Sequence, residues 1–128
     1  MDLYSITVSL QKYLYKLQHR FETSQPPETM NDRAFFNDMK EETKPIYDLL
    51  KTWEIDTLKY IDTNKSNLFP QQIIATIDNI EMIILHSYYI DIRRRFYMEY
   101  FNSTIYILEQ LLRELGDNNY GKTTDWKS

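Results

Sequence analysis

The chain has 128 residues, of which 42% are apolar and 27% charged, and a net charge of −4, so it is sized for one domain with one hydrophobic core. The acidic balance, with an isoelectric point near 5.1, argues against a general polyanion binder, because whole-molecule attraction to phosphate is missing. With no cysteine, disulfides, thiolate zinc sites and cysteine nucleophiles are excluded.

The first helix is predicted from about Leu3 to Glu22. Leu3, Ile6, Leu10, Tyr13 and Leu17 keep a three–four spacing, and Leu14 and Phe21 widen the stripe. Gln11, Lys12, Lys16, Gln18 and Arg20 supply polar faces. The connection Thr23–Asp32 follows, where Pro26-Pro27 stops a helix. Arg33–Glu42 is acidic and ambiguous: Phe35, Phe36 and Met39 would anchor a short helical turn on the bundle.

The second long helix is placed at Lys44–Thr63, with Pro45 at an early position where its missing N–H costs little. Ile46, Leu49, Leu50, Trp53, Thr57, Tyr60 and Ile61 form its inward stripe. Asn64–Phe69 is a polar connection, and Pro70 opens the third helix. Ile73, Ile77, Ile80, Ile84 and Tyr88 line one face there, broadened by Ile74, Ile83 and Leu85. The stretch from Ile73 to Leu115 has no Gly or Pro, but as a single helix it would be a rod of roughly 65 Å, too long for this chain to cover. It should fold back near Arg93-Arg94-Arg95.

The fourth helix starts near Arg94 and carries Tyr97, Phe101, Ile105, Leu108, Leu112 and Leu115 as its stripe. Gly116 is a suitable residue to end it, leaving 116–128 as a flexible tail behind a single domain, 1–115. The expected fold is all-α, an antiparallel four-helix bundle in up-down-up-down order. No basic leader precedes the first helix, and the most apolar stretch is broken by Asp78, Glu81, His86 and Asp91. The reading is a cytoplasmic protein with no membrane span.

Two segments carry a family likeness: DNIEMIILHSYY, from Asp78, and RRRFYMEYFNSTIYIL, ending at Leu108. Asp78, Asn79, Ser87, Tyr88, Arg95, Phe96, Ser103 and Tyr106 mark the pattern, and Phe35-Phe36 with Trp53 extends it upstream. Over roughly Phe35–Leu112 the chain resembles the YppE-like family of small helical bacterial proteins of unknown function. The resemblance implies a four-helix bundle and supplies no catalytic residue.

Catalytic signals are weak. His19 and His86 are the only histidines, and neither has the Glu three residues earlier that di-iron bundles use. His86 reads more simply as a hydrogen-bonded core residue. Ser87 adjoins His86, but neighbours on a helix point about 100° apart. Two glycines, both in the last thirteen residues, build no phosphate-cradling loop. No cofactor and no metal are expected. Asp78, Asn79 and Glu81 would form a polar inlay in the core, with Asn79 a buried amide; the plainer reading has all three facing solvent between the apolar stripes, with Asp78 and Glu81 near the boundary.

The sharpest polar feature is Arg93-Arg94-Arg95 with Tyr89 and Tyr97 nearby, a patch that would hold phosphate while rings stack on bases. The plainer reading is a solvated turn whose arginines pair with Asp91, Glu99 or Glu41-Glu42. Three functions stay open. The first is a non-enzymatic protein that binds another protein, a second copy of itself included. The second is a nucleic-acid accessory protein using the arginine–tyrosine patch, and the third a small-ligand bundle with a cavity between the third and fourth helices.

Overall fold

The computed structural model describes the backbone of residues 1–123 and the side chains of residues 1–116. Four helices follow one another: α1 (Leu3–Thr23), α2 (Arg33–Thr63), α3 (Pro70–Tyr88) and α4 (Arg94–Thr123). No strand occurs among the described residues.

Local chemistry sets the starts. The Asp2 carboxylate accepts from the Ser5 N–H (2.8 Å) and Asp32 from Phe35 (3.0 Å), satisfying donors that a helix start leaves orphaned. Pro70 opens α3, and Gln72 Oε1 reaches back to the Phe69 N–H at 2.8 Å.

Three expectations need correction. Arg33–Glu42 is the first third of α2, whose 31 residues run straight through Pro45. Met39, Thr43, Ile46, Leu50, Trp53 and Thr57 are its buried stripe, and their three–four spacing is unbroken across the proline. Gly116 does not end α4, which continues to Thr123, and the expected tail's last residues, 124–128, lie outside the described residues. Finally, Ile74 and Leu85 do not broaden the core face of α3: both are exposed. Ile73, Ile80, Ile83, Ile84 and Tyr88 fill it.

Each helix runs antiparallel to the next. Arg20 of α1 lies over Phe35 of α2, while Thr7 meets Trp53. Glu42 of α2 meets Tyr88 of α3. Ser87 of α3 meets Tyr97 of α4, and Glu22 of α1 meets Arg94. α1 and α3 touch across the diagonal, whereas α2 and α4 are joined by a hydrogen bond from the Tyr60 hydroxyl to Glu114. The result is an all-α, up-down-up-down four-helix bundle.

Most buried hydroxyls are absorbed within the helices, Thr57 excepted. Thr7, Thr43, Thr76, Ser87 and Thr104 each donate to the carbonyl four residues earlier, at 2.6–2.8 Å. Thr7 then accepts from Trp53 Nε1 at 3.1 Å, giving the fully buried indole its partner.

Candidate functional surfaces

The residues expected to form an arginine–tyrosine patch are not brought together. α4 begins at the arginines, and one helical face of its first turns points inward. Tyr97 lies on that face, fully buried. Its ring stacks on Phe21 with centroids 3.8 Å apart and planes 5° from parallel. Ser87 Oγ spends its proton on the Ile83 carbonyl, so the Tyr97 hydroxyl donates to Ser87 Oγ, at 2.7 Å. Burial pushes the Tyr97 phenol up to about 12. Tyr89 is also buried, its ring 5.2 Å from Phe35 at a steep angle. Neither tyrosine is available to stack on a base.

The three arginines are exposed. Arg94 Nε donates to Glu22 Oε1 at 2.7 Å, a partner on α1 rather than Asp91, Glu99 or the Glu41-Glu42 pair. Arg95 lies 4.9 Å from the ring centre of Phe96. Among the described residues, Arg93 and Arg95 have no ion-pair partner. All three stand at the helix end where the macrodipole disfavours positive charge.

Two of the acids proposed as partners are engaged elsewhere. Asp91 Oδ1 sits 2.7 Å from His86 Nδ1, so His86, with a side chain 13% exposed, is tied to the α3–α4 turn. Glu42 accepts the Tyr88 hydroxyl at 2.8 Å. Tyr88 is pushed up to about 12, first by burial and then by that carboxylate, with Arg20 opposing. Among the described residues no group of three His, Asp or Glu side chains is placed to hold a metal ion.

A sizeable hollow lies elsewhere, as an open groove of about 480 Å³ between α3 and α4. Gln72, Ala75, Thr76 and Asn79 line it from α3. Asn102, Ser103, Tyr106 and Ile107 line it from α4. None of these eight is charged, on a chain in which 27% of residues are. Tyr106 stands at the groove 61% exposed, and Ile74 on the same turn of α3 as Ala75 is 51% exposed. Asp78 and Glu81 face solvent, as the plainer reading has it, whereas Asn79 is half-buried at the groove. Of this groove, sequence reasoning had singled out only Asn79, Ser103 and Tyr106. The signal it lacked is the pairing of two uncharged helix faces, which no single helix displays.

A protein-family comparison matches residues 7–115 to a bacterial domain of unknown function, DUF1798. The chain belongs to that family. The DUF1798 match takes in parts of all four helices, including most of α1, where the sequence showed little beyond periodicity. Neither the comparison with curated proteins nor that with solved structures found a match. Among the described residues of this DUF1798 chain, no helix is long and apolar enough to cross a membrane.

Proposed function

We propose that this DUF1798 protein is a non-enzymatic, cytoplasmic helical bundle that acts by binding another protein through the α3–α4 groove. One observation carries the reading: the open groove between α3 and α4 is lined without a single charged residue and has Tyr106 exposed beside it. Cores of protein interfaces are depleted in charge and enriched in tyrosine, which joins a large contact area to a polar tip. Amides and hydroxyls from Gln72, Asn79, Asn102 and Ser103 would fix the register of an uncharged partner segment. The likeness to the YppE-like family is compatible with this assignment and adds no residue to it.

The test compares capture by the tagged wild-type chain, after nuclease treatment, with capture by Tyr106→Arg and by Arg94→Ala with Arg95→Ala. The reading expects a partner that survives nuclease, is lost with the Tyr106 variant and is kept by the arginine variant. Light scattering on the purified protein separates a second copy of the chain from a different partner. Nucleic acid in the eluate, lost with the arginines, would overturn the reading.

A further inference from the structure

A second hollow, of about 260 Å³, lies where α1, α2 and the end of α3 meet. Its apolar lining comes from Leu17 and Ile46, and the rings of Tyr13 and Tyr88 stand beside them. Lys16, Arg20 and Glu42 bring charge to it. A smaller hollow of about 160 Å³ adjoins it, sharing Tyr13 and Lys16 and adding Ser9 and Lys12. Lys12, Lys16 and Arg20 are four residues apart, so they form one stripe along α1. That helix holds three Lys or Arg against one carboxylate, Glu22, on a chain of net charge −4.

The charges in this hollow are unequally engaged. Glu42 already accepts the Tyr88 hydroxyl. Among the described residues, neither Lys16 nor Arg20 has an ion-pair partner. Arg20 is nevertheless held in place: its guanidinium lies 4.0 Å from the ring centre of Tyr88 and 5.9 Å from that of Phe35. Stacking occupies the flat face of the guanidinium, part of its N–H edge faces the Tyr88 hydroxyl, and its remaining N–H groups can meet a planar or tetrahedral oxyanion. Lys16 lies 5.7 Å from the Tyr13 ring centre, a second cation braced by an aromatic ring.

We infer that this hollow binds a small organic acid, a carboxylate or phosphate monoester with a flat apolar body. Lys16 and Arg20 take the anionic head, and Leu17, Ile46 and the Tyr13 ring take the body. The volume falls just below the roughly 300 Å³ at which drug-sized sites begin, which restricts the body to about one ring. Glu42 on the wall disfavours ligands with a second anionic group. The site stands apart from the α3–α4 groove and does not depend on that groove binding a protein.

Titration of the ¹⁵N-labelled protein with phenyl phosphate, benzoate and inorganic phosphate, followed by amide shifts, tests this. The expected result is saturable shifts around Lys16, Arg20 and Ile46 with phenyl phosphate or benzoate, and whichever of the two binds tighter identifies the head. Lys16→Gln should weaken that binding roughly tenfold, since a charge-assisted hydrogen bond is lost. Arg20→Gln should do the same or more, and Arg95→Gln, at a cation outside the lining of the hollow, should leave it unchanged. Lys16 is exposed, so its variant keeps the test sound where the Arg20 variant disturbs packing. No saturable shift would overturn the inference. So would shifts centred on Arg93–Arg95, binding indifferent to Lys16→Gln, or equal affinity for inorganic phosphate and phenyl phosphate.

Discussion

The Tyr97 hydroxyl donates to Ser87 Oγ across 2.7 Å of buried space, clasping the end of α3 to the start of α4. Together with the Phe21 ring stacked on Tyr97, this clasp holds the helix reversal at the arginine end of the bundle. Tyr97→Phe keeps the stack and removes only the hydrogen bond. It should destabilise the protein by about 1 kcal/mol, read as a shift in the urea midpoint at constant slope. A loss several times larger would mean that the hydroxyl holds more than Ser87.

The same end of the bundle sets an alkaline limit on stability. Tyr88 and Tyr97 are both raised to about 12 when folded, mainly by burial, against about 10 for tyrosine in an unfolded chain. A raised acid favours its neutral form in the folded state. Their contribution is therefore complete below about pH 10 and is lost as pH climbs toward about 12. Tyrosinate absorbance should show Tyr88 and Tyr97 ionising late, alongside Tyr47, which burial also raises, with unfolding following Tyr88 and Tyr97. Tyr97→Phe should remove one of the late titrations. Ionisation of every tyrosine near pH 10 in a protein that remains folded would contradict the burial argument.

Two buried threonines make opposite predictions for one substitution. Thr57 Oγ1 is buried and has no hydrogen-bond partner among the described residues. Thr57→Val keeps the shape and removes the unsatisfied group, so it should be neutral to stabilising by about 1 kcal/mol. Thr7 receives the Trp53 indole N–H. Thr7→Val strands that donor in the core and should destabilise by about 1–3 kcal/mol. Thermal unfolding of the two variants side by side is the check, and equal shifts would refute it.

How far the sequence reveals this molecule depends on the range of the signal. Stripes such as Ile6, Leu10, Leu14, Leu17 and Phe21 are local and periodic, so the helices and the bundle were legible. Single-residue rules misled where they competed with that period. Pro45 suggested a helix start although the spacing from Met39 to Trp53 passes through it, and Gly116 suggested a helix end that does not occur there. The arginine–tyrosine patch failed for a geometric reason. Tyr89 and Tyr97 neighbour the arginines along the chain but are turned into the core. Both surface hollows are made by more than one helix, so their lining is invisible until the packing is known. Lys12, Lys16 and Arg20 at four-residue intervals were the one trace of the α1 hollow, and in sequence they look like a solvated face.

Pro45 also carries an energetic cost. It leaves the Glu41 carbonyl without its N–H partner inside a helix that continues for eighteen residues beyond it, to Thr63. Its side chain is exposed, so no core packing is lost on replacement. Pro45→Ala should raise stability by about 1–3 kcal/mol. A drop in stability would show that a bend at Pro45 is needed to keep Met39 and Trp53 on the same core.

At the opposite end of the bundle, Glu114 on α4 ties down the connection between α2 and α3. One carboxylate oxygen accepts the Tyr60 hydroxyl at 3.2 Å, and the other accepts the Asn67 backbone N–H at 3.1 Å. The second bond matters more for local order, because the segment 64–69 has no helix to satisfy that amide. Glu114→Ala should speed hydrogen exchange at Asn67 and cost about 1–2 kcal/mol of stability. Tyr60→Phe removes the bond to the first oxygen and should leave exchange at Asn67 unchanged. If both variants speed that exchange equally, the two bonds act as one unit and Tyr60 positions the carboxylate. If neither does, water holds the Asn67 amide and Glu114 is not the tether.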